Sequence, residues 1–103
     1  MSTTPRSRLD ALAAEATIDC YNEDEEVTGF LTMILDNLAV PFQTQVLGVE
    51  VTVDNVELNA VGEIVAICSR AKHRQSIAIV DLPMPVKAPD GAEWIAAYRH
   101  WRR

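Results

Sequence analysis

The chain has 103 residues, 49% of them apolar, and a formal net charge of −6 at pH 7. This length fits one domain with a modest core, and the apolar fraction argues against intrinsic disorder. No apolar run approaches the ~20 residues of a membrane span, and the N-terminus lacks the apolar core of a secretory signal. Net negative charge argues against a general affinity for nucleic acid. We therefore expect one cytoplasmic domain, residues 1–103, with no membrane or nucleic-acid partner.

The charges are unevenly distributed along the chain. Between Leu9 and Ser69 there are twelve Asp and Glu residues and no Lys or Arg. From Arg70 onward there are seven basic residues and three acidic ones. The sequence therefore predicts an acidic region and a separate, mildly basic one. An acidic region without internal counter-charge attracts cations, which are either metal ions or a basic partner.

Two helices are predicted in the N-terminal part of the chain. Residues 1–7 are polar and predict a loose tail, and strong helix formers follow from Arg8 to about Ile18. A second helix begins after Asn22, a good N-cap, with Glu25 at the capping-box position. Pro41 ends it. Its apolar residues recur at helical spacing and predict one buried stripe: Val27, Phe30, Leu31, Ile34 and Leu38.

Gly29 lies inside the second predicted helix. Glycine there costs about 1 kcal/mol relative to alanine. A neighbouring backbone that packs closely against the helix would explain the glycine, although the sequence alone does not identify that backbone.

The hydrophobic period changes from 3.6 to 2 after Pro41. The stretch from Phe42 to Leu58 alternates apolar and polar residues, with a bend or bulge predicted at Gly48. Two further strands, "GEIVAICSR" and "RQSIAIVDL", form a predicted hairpin whose charged tip is "RAKHR". These strands predict a small antiparallel sheet or a partly open SH3-like barrel.

A connector and a third helix complete the predicted chain. Residues 83–89 contain three prolines and predict an extended connector. Asp90 then caps a helix with Glu93 at its third position. The apolar stripe of this helix is predicted to face the core: Trp94, Ile95, Tyr98 and Trp101. The fold class is therefore α+β, with N-terminal helices, a small antiparallel sheet or barrel, and a C-terminal helix.

Catalytic and zinc chemistry find little support in the sequence. There is no GxSxG, P-loop, GxGxxG or HExxH motif, and Ser69 with His73 lacks an orienting acid. Cys20 and Cys68 do not form a CxxC pair, and Cys68 lies in an apolar run that predicts a buried, inert thiol. We therefore expect no enzymatic activity.

The run Glu23 to Glu26 admits two interpretations. Acids in a first helical turn interact favourably with the helix dipole, and clustered carboxylates also bind hard cations such as calcium. The EF-hand signature is absent. Helical phase places Glu23 near the apolar stripe and Asp24 at its edge, whereas Glu25 and Asp36 point away. Carboxylates at the rim of the core face could meet Asp19 from the preceding segment, and such crowding favours either a bound cation or the protonation of one carboxylate.

Three segments carry a resemblance to a known family, quoted as they stand here: "YNEDEEVTGFLTMILDNLAVPF" (Tyr21–Phe42), "VLGVEVTV" (Val46–Val53) and "AEWIAAYRHW" (Ala92–Trp101). Together they place, in order, an aromatic followed by acids, a Gly-aromatic pair, Pro-Phe, a sheet and a closing Trp/Tyr helix. This arrangement extends over about Leu12 to Trp101. It resembles a bacterial and cyanobacterial family of small calcium-binding proteins that lack an EF-hand.

The resemblance implies calcium binding by acidic side chains on an α+β domain, as a buffer or a sensor. Matched position by position, it implies Glu23, Asp24, Glu25, Glu26 and Asp36 as metal-site candidates, to which the residue argument adds Asp19. The alternative hypothesis is a protein-interaction module whose acidic surface or sheet edge binds a partner without metal. The sequence leaves the oligomeric state open.

Overall fold

The computed structural model describes residues 4–102, which form three α-helices and four β-strands. In chain order these are α1 (Arg6–Ala16), α2 (Glu23–Asn37), β1 (Phe42–Val46), β2 (Val49–Leu58), β3 (Ile64–Arg70), β4 (His73–Ala78) and α3 (Ala92–Arg102). The predicted α+β class, with two N-terminal helices, an antiparallel sheet and a C-terminal helix, is confirmed. In this part of the chain no helix has the length and apolar character needed to cross a membrane.

The four strands form an antiparallel meander in the order β1-β2-β3-β4. The sheet is open, since β1 and β4 occupy its two edges. The predicted alternating stretch from Phe42 to Leu58 is divided into two paired strands, with Phe42 opposite Val53. Leu47 and Gly48 form the turn between them, and both have positive φ, 53° and 77°. This pair of φ values suits a two-residue hairpin because its twist matches that of the strands.

The helices cover one face of the sheet and enclose the core. The predicted stripe of α2 is confirmed, with Val27, Phe30 and Ile34 buried. Tyr98 of α3 packs edge-on against Phe30, with ring centroids 5.4 Å apart, and Trp101 lies 5.1 Å from Phe30. These contacts confirm that the aromatic stripe of α3 belongs to the core. From the sheet the core receives Val53, Val56, Ile64, Ala66 and Cys68.

The structure moves the predicted start of α1. This helix begins at Arg6, so the last two residues of the predicted tail are helical, while residues 1–3 lie outside the described part of the chain. Pro5 stands at the N-cap with φ −59°. Proline holds this φ without losing a helical hydrogen bond, because the first N–H groups of a helix have no intrahelical partner. The tail prediction therefore ended too late.

The predicted start of α3 also moves. This helix begins at Ala92, and Gly91, with φ 87°, separates it from Asp90. A Cβ at Gly91 would overlap the carbonyl group of Asn37. Asp90 contributes its backbone instead, since its carbonyl accepts a hydrogen bond of 2.8 Å from the N–H of Ala39. The chain thus enters α3 through a tight contact with the end of α2.

The last predicted strand is shorter than expected. β4 ends at Ala78, and Ile79–Asp81 form a turn of 3-10 helix. Arg99 donates hydrogen bonds to the carbonyl groups of Ile79 and Leu82. Burial lowers the pKa of Arg99, and nearby Asp81 opposes this shift. The guanidinium group thus holds the chain where it leaves the sheet, and residues 83–89 then run without helix or strand, as predicted.

Gly29 marks the closest contact between α1 and α2. A Cβ at this position would overlap the carbonyl oxygen of Ala16, the last residue of α1, and would lie 3.6 Å from the sulfur of Cys20. The close backbone that would explain Gly29 is therefore present, and it is the C-terminal end of α1. Because this carbonyl is backbone, it cannot rotate away from an added methyl group.

We expect Gly29→Ala to destabilise the protein by about 1–3 kcal/mol, because overpacking against a backbone atom outweighs the gain in helix propensity. Urea unfolding followed by circular dichroism measures the change. Thr32→Ala is the matched control, since this residue is exposed on the same helix, and its substitution should leave stability within about 0.5 kcal/mol of the parent. An alanine at residue 29 that stabilises the protein would contradict the close contact.

Candidate functional site

The connection between α1 and α2 carries the sequence-predicted acidic residues. Thr17 ends α1 by donating its hydroxyl to the carbonyl of Ala13, 2.8 Å away, and the N–H of Cys20 donates to the carbonyl of Thr17. Asp19 lies between them with φ 60°, a left-handed conformation that aspartate tolerates better than most residues. This turn brings Cys20 back against the first turn of α2.

The start of α2 is capped as predicted. The side chain of Asn22 accepts a hydrogen bond of 2.9 Å from the N–H of Glu25. The carboxylate of Glu25 reaches back and accepts one of 3.1 Å from the N–H of Tyr21. Glu25 therefore has a structural function in addition to its charge. Both side chains are exposed, so the oxygen of Glu25 that is not bonded to Tyr21 faces solvent and can accept further partners.

A shallow depression of about 380 Å³ follows α2 from its acidic start. Its walls are formed by six residues: Cys20, Asp24, Glu25, Thr28, Gly29 and Thr32. The hydroxyl of Thr28 donates to the carbonyl of Asp24, and that of Thr32 to the carbonyl of Thr28, each at 3.0 Å. Each hydroxyl oxygen thus keeps its lone pairs as acceptors. The depression is lined by carboxylate and hydroxyl oxygens and by no Lys or Arg.

The environment of the Cys20 thiol shows which carboxylates lie close together. Partial burial raises the pKa of Cys20, and the negative charges of Glu25, Glu26 and Asp19 raise it further, in that order. Like charges nearby disfavour the thiolate. Three of the sequence-predicted acidic residues therefore lie close enough to this sulfur atom to disfavour its thiolate, and Asp24 lines the same depression.

Glu23 is directed elsewhere. Its carboxylate lies 3.8 Å from the guanidinium group of Arg102 on α3. Both side chains are solvent-exposed, so this pair contributes little to stability. It supplies the basic neighbour that the sequence around Glu23 lacks. The side chain thus points toward α3, and part of its charge is offset.

Asp36 does not join the other acidic residues. It follows Glu23 by 13 positions in the 15-residue helix α2, which places the two Cα atoms about 20 Å apart. The six sequence-predicted residues therefore divide into a group of four around Cys20, a paired Glu23 and a remote Asp36. Among residues 4–102, no group of three or more His, Cys, Asp and Glu side chains has the arrangement of a ready-made metal site.

Sequence reasoning overlooked two features of this region. Asp24, Thr28 and Thr32 follow one another at intervals of four residues and so lie on one face of α2, a spacing visible in the sequence. Arg102 could not be assigned to Glu23, because the two residues are 79 positions apart in the chain and meet only through the packing of α2 against α3.

Comparison with known proteins adds no assignment. The scan against protein-family models, the search of curated proteins and the search of solved structures each returned no match. The resemblance to small calcium-binding proteins therefore stays a prediction from the sequence.

We expect Glu26→Gln to accelerate the alkylation of Cys20 by iodoacetamide about two- to threefold at pH 8. Removing a negative charge lowers the pKa of this thiol, so the curve of rate against pH shifts to lower pH. Glu25→Gln should act in the same direction while keeping an acceptor for the N–H of Tyr21. Mass spectrometry of labelled peptides measures each rate.

The remote Asp36→Asn should leave the Cys20 rate unchanged. Cys68 is buried and provides an internal control, since it should react only after unfolding. Equal acceleration by substitutions at residues 26 and 36 would contradict the grouping of carboxylates around Cys20.

Proposed function

We propose that this protein is a non-enzymatic calcium-binding protein, a buffer or a sensor, whose ion occupies the depression at the start of α2. One observation carries the proposal: carboxylate and hydroxyl oxygens line this depression, with no Lys or Arg among its walls. Calcium is a hard cation that takes oxygen ligands and tolerates irregular geometry. The sequence resemblance to small calcium-binding proteins points to the same chemistry.

Asp24 and the solvent-facing oxygen of Glu25 are the proposed direct ligands, since both residues line the depression. Asp19 and Glu26 lie near the same thiol and add negative potential, or coordinate after a change of rotamer. Glu23 contributes less because Arg102 offsets its charge. Asp36 stands about 20 Å along the helix, so it requires a different ion from the one proposed here.

Water must complete the coordination shell. Calcium takes six to eight oxygen ligands at 2.3–2.6 Å, whereas the depression supplies two carboxylates and two hydroxyl groups. Because the protein supplies few charged ligands, its affinity for calcium is low. We expect a dissociation constant of about 10⁻⁴–10⁻³ M, the range of the weaker known calcium sites. The hydroxyls of Thr28 and Thr32 can accept hydrogen bonds from the bound waters.

The alternative function, a protein-interaction module without metal, has its own support. β1 and β4 form the two edges of the sheet, and a sheet edge offers backbone groups to another strand. A partner bound by the acidic surface would resist a calcium chelator and dissociate at high salt, since exposed charges are screened. Calcium-dependent binding would behave in the opposite way toward the chelator.

Calcium should raise the melting temperature. An ion that binds only the folded protein at ten times its dissociation constant adds about 1.4 kcal/mol, which corresponds to about 6–11 °C for a domain of this size. Thermal melts followed by circular dichroism, in calcium and in equal magnesium, measure the shift. Equal shifts in both ions, or none at 10 mM calcium, would contradict the proposal.

Asp24→Asn combined with Glu25→Gln should abolish the calcium shift while preserving the cap on Tyr21. Glu57→Gln is the matched control, because Glu57 is an exposed carboxylate on β2, away from the depression, and its substitution should leave the shift intact. Calcium titration followed by amide chemical shifts locates the ion. Changes confined to residues 19–32 support the proposed site, and changes centred on Asp36 would place the ion elsewhere.

A further inference from the structure

The helices leave one end of the sheet uncovered. At this end a groove of about 320 Å³ continues the core-facing side of the sheet beyond the helical layer. Apolar side chains from all four strands and the first turn form its walls: Val46, Leu47, Val49, Val51, Cys68 and Ile77. Several of them pack against the core on one side and face solvent on the other. The groove is therefore an apolar surface without a cover in the described part of the chain.

Leu47 is the most exposed of these residues. Its side chain is 98% exposed, and the neighbouring Val49 is 41% exposed. Leu47 also holds φ 53° in the turn with Gly48, a left-handed conformation that asparagine adopts at lower cost than leucine. The turn itself does not require leucine. Leucine is thus unfavourable here for both the backbone and solvent, and it extends the apolar surface of the groove.

The rim of the groove is basic. Arg70 and His73 line it directly, and the hairpin tip between β3 and β4 adds two more cationic side chains, so that Ser69–Gln75 contains three Lys and Arg residues and no carboxylate. Glu50 lies beside this rim, where its backbone carbonyl accepts a hydrogen bond of 3.2 Å from Arg70. An apolar floor with a basic rim fits an apolar segment flanked by carboxylates.

The α1–α2 connection of this same chain has that composition. Ile18 is 71% exposed and Tyr21 is 88% exposed. The connection itself, Thr17–Asn22, contains Asp19, and the first turn of α2, Glu23–Glu26, adds four carboxylates, with no Lys or Arg in either segment. This connection therefore presents two large apolar side chains in an acidic setting. Its apolar side chains suit the apolar walls of the groove, and its negative charges are opposite to the positive charges of the rim.

The two surfaces lie at opposite ends of the molecule. Burial raises the pKa of Tyr98, Arg102 and the backbone of Ile64 oppose this shift, and the charges of Glu63 and Glu23 add to it. The start of α2, with Glu23, and the start of β3 therefore lie on the same side of Tyr98. The groove lies at the other end of β3, beside Arg70. β3 has 7 residues, so its ends are about 20 Å apart. One copy therefore cannot place its own acidic connection in its own groove.

We propose that the groove receives the α1–α2 connection of a second copy, with Ile18 and Tyr21 against its apolar walls and the carboxylates facing Arg70 and His73. The contact is small compared with stable interfaces, which bury at least ~1,200 Å², so the association is transient and concentration-dependent. It requires no metal ion. The proposal does not rest on the calcium proposal and is tested in the presence of EDTA.

Sedimentation velocity from 10 μM to 1 mM in EDTA tests the association. The weight-average mass should rise above 11.4 kDa with concentration in 50 mM salt and return toward it in 500 mM salt, because exposed charge pairs are screened. A mass that stays at the monomer value at 1 mM overturns the proposal, and the groove then has a different occupant.

Leu47→Asn tests the contribution of Leu47 to self-association without disturbing the fold. It removes the exposed leucine but places asparagine before glycine in a turn that favours this pair, so the melting temperature should be maintained while self-association weakens at least tenfold. Tyr21→Ser should weaken it similarly. Leu35→Gln is the control, since Leu35 is 50% exposed near the C-terminal end of α2 and belongs to neither surface, so its substitution should leave association unchanged. Equal effects of all three substitutions would overturn the assignment of these surfaces.

A charge exchange provides the sharper test. Arg70→Glu and Asp24→Lys should each weaken self-association at least tenfold. Mixing these two variants should restore it toward the parent value, because the unchanged groove of the Asp24→Lys variant then meets the unchanged connection of the Arg70→Glu variant, and the two altered surfaces are again opposite in charge. Variants that associate normally alone, or a mixture that fails to recover, would overturn the proposed pairing.

Discussion

The contact between the end of α1 and Gly29 of α2 determines the geometry of the whole acidic end. The carbonyl of Ala16 occupies the space where any larger residue at position 29 would place its Cβ. The chain leaving α1 must therefore turn at once, and the residues from Thr17 to Asn22 fold back over the start of α2. This turn sets Cys20 against the carboxylates and leaves Ile18 and Tyr21 exposed to solvent. The proposed calcium site and the proposed self-association surface at this end thus both depend on the close approach of the Ala16 backbone to the Gly29 backbone.

The antiparallel meander separates the charges of the chain. Burial raises the pKa of Tyr98, and Glu63 and Glu23 raise it further, so the β2–β3 connection lies at the same end as the acidic start of α2. The β3–β4 tip carries the basic residues to the other end. Arg102 is the exception, since α3 returns it to the acidic end beside Glu23. Acidic and basic residues are therefore concentrated at opposite ends of the molecule, an asymmetry that the net charge of −6 does not reveal.

Calcium binding and self-association, as proposed, use the same carboxylates. A cation in the depression would reduce the negative potential that attracts the basic rim of a second copy. Linkage then requires each to weaken the other by the same factor. A transient oligomer that dissociates as calcium rises is one way in which such a domain could act as a sensor, whereas a buffer needs no change of assembly. The two proposals stand on separate observations, and either can fail alone.

The sequence by itself determined the elements of this fold, because helix caps, periodicity and turn residues act over a few positions. It predicted the α2 cap by Asn22, the buried stripe containing Phe30 and the β3–β4 hairpin, and it suggested a close backbone as the explanation for Gly29. Tertiary structure alone decided which carboxylates stand together: α2 carries Asp36 away from the rest, α3 brings Arg102 to Glu23, and the turn after α1 gathers the others around Cys20. It also decided that the sheet stays open and that its uncovered end forms a groove. These features depend on how packed elements cross, since residues far apart in the chain meet only when burial of the apolar stripes fixes the orientation of the helices over the sheet.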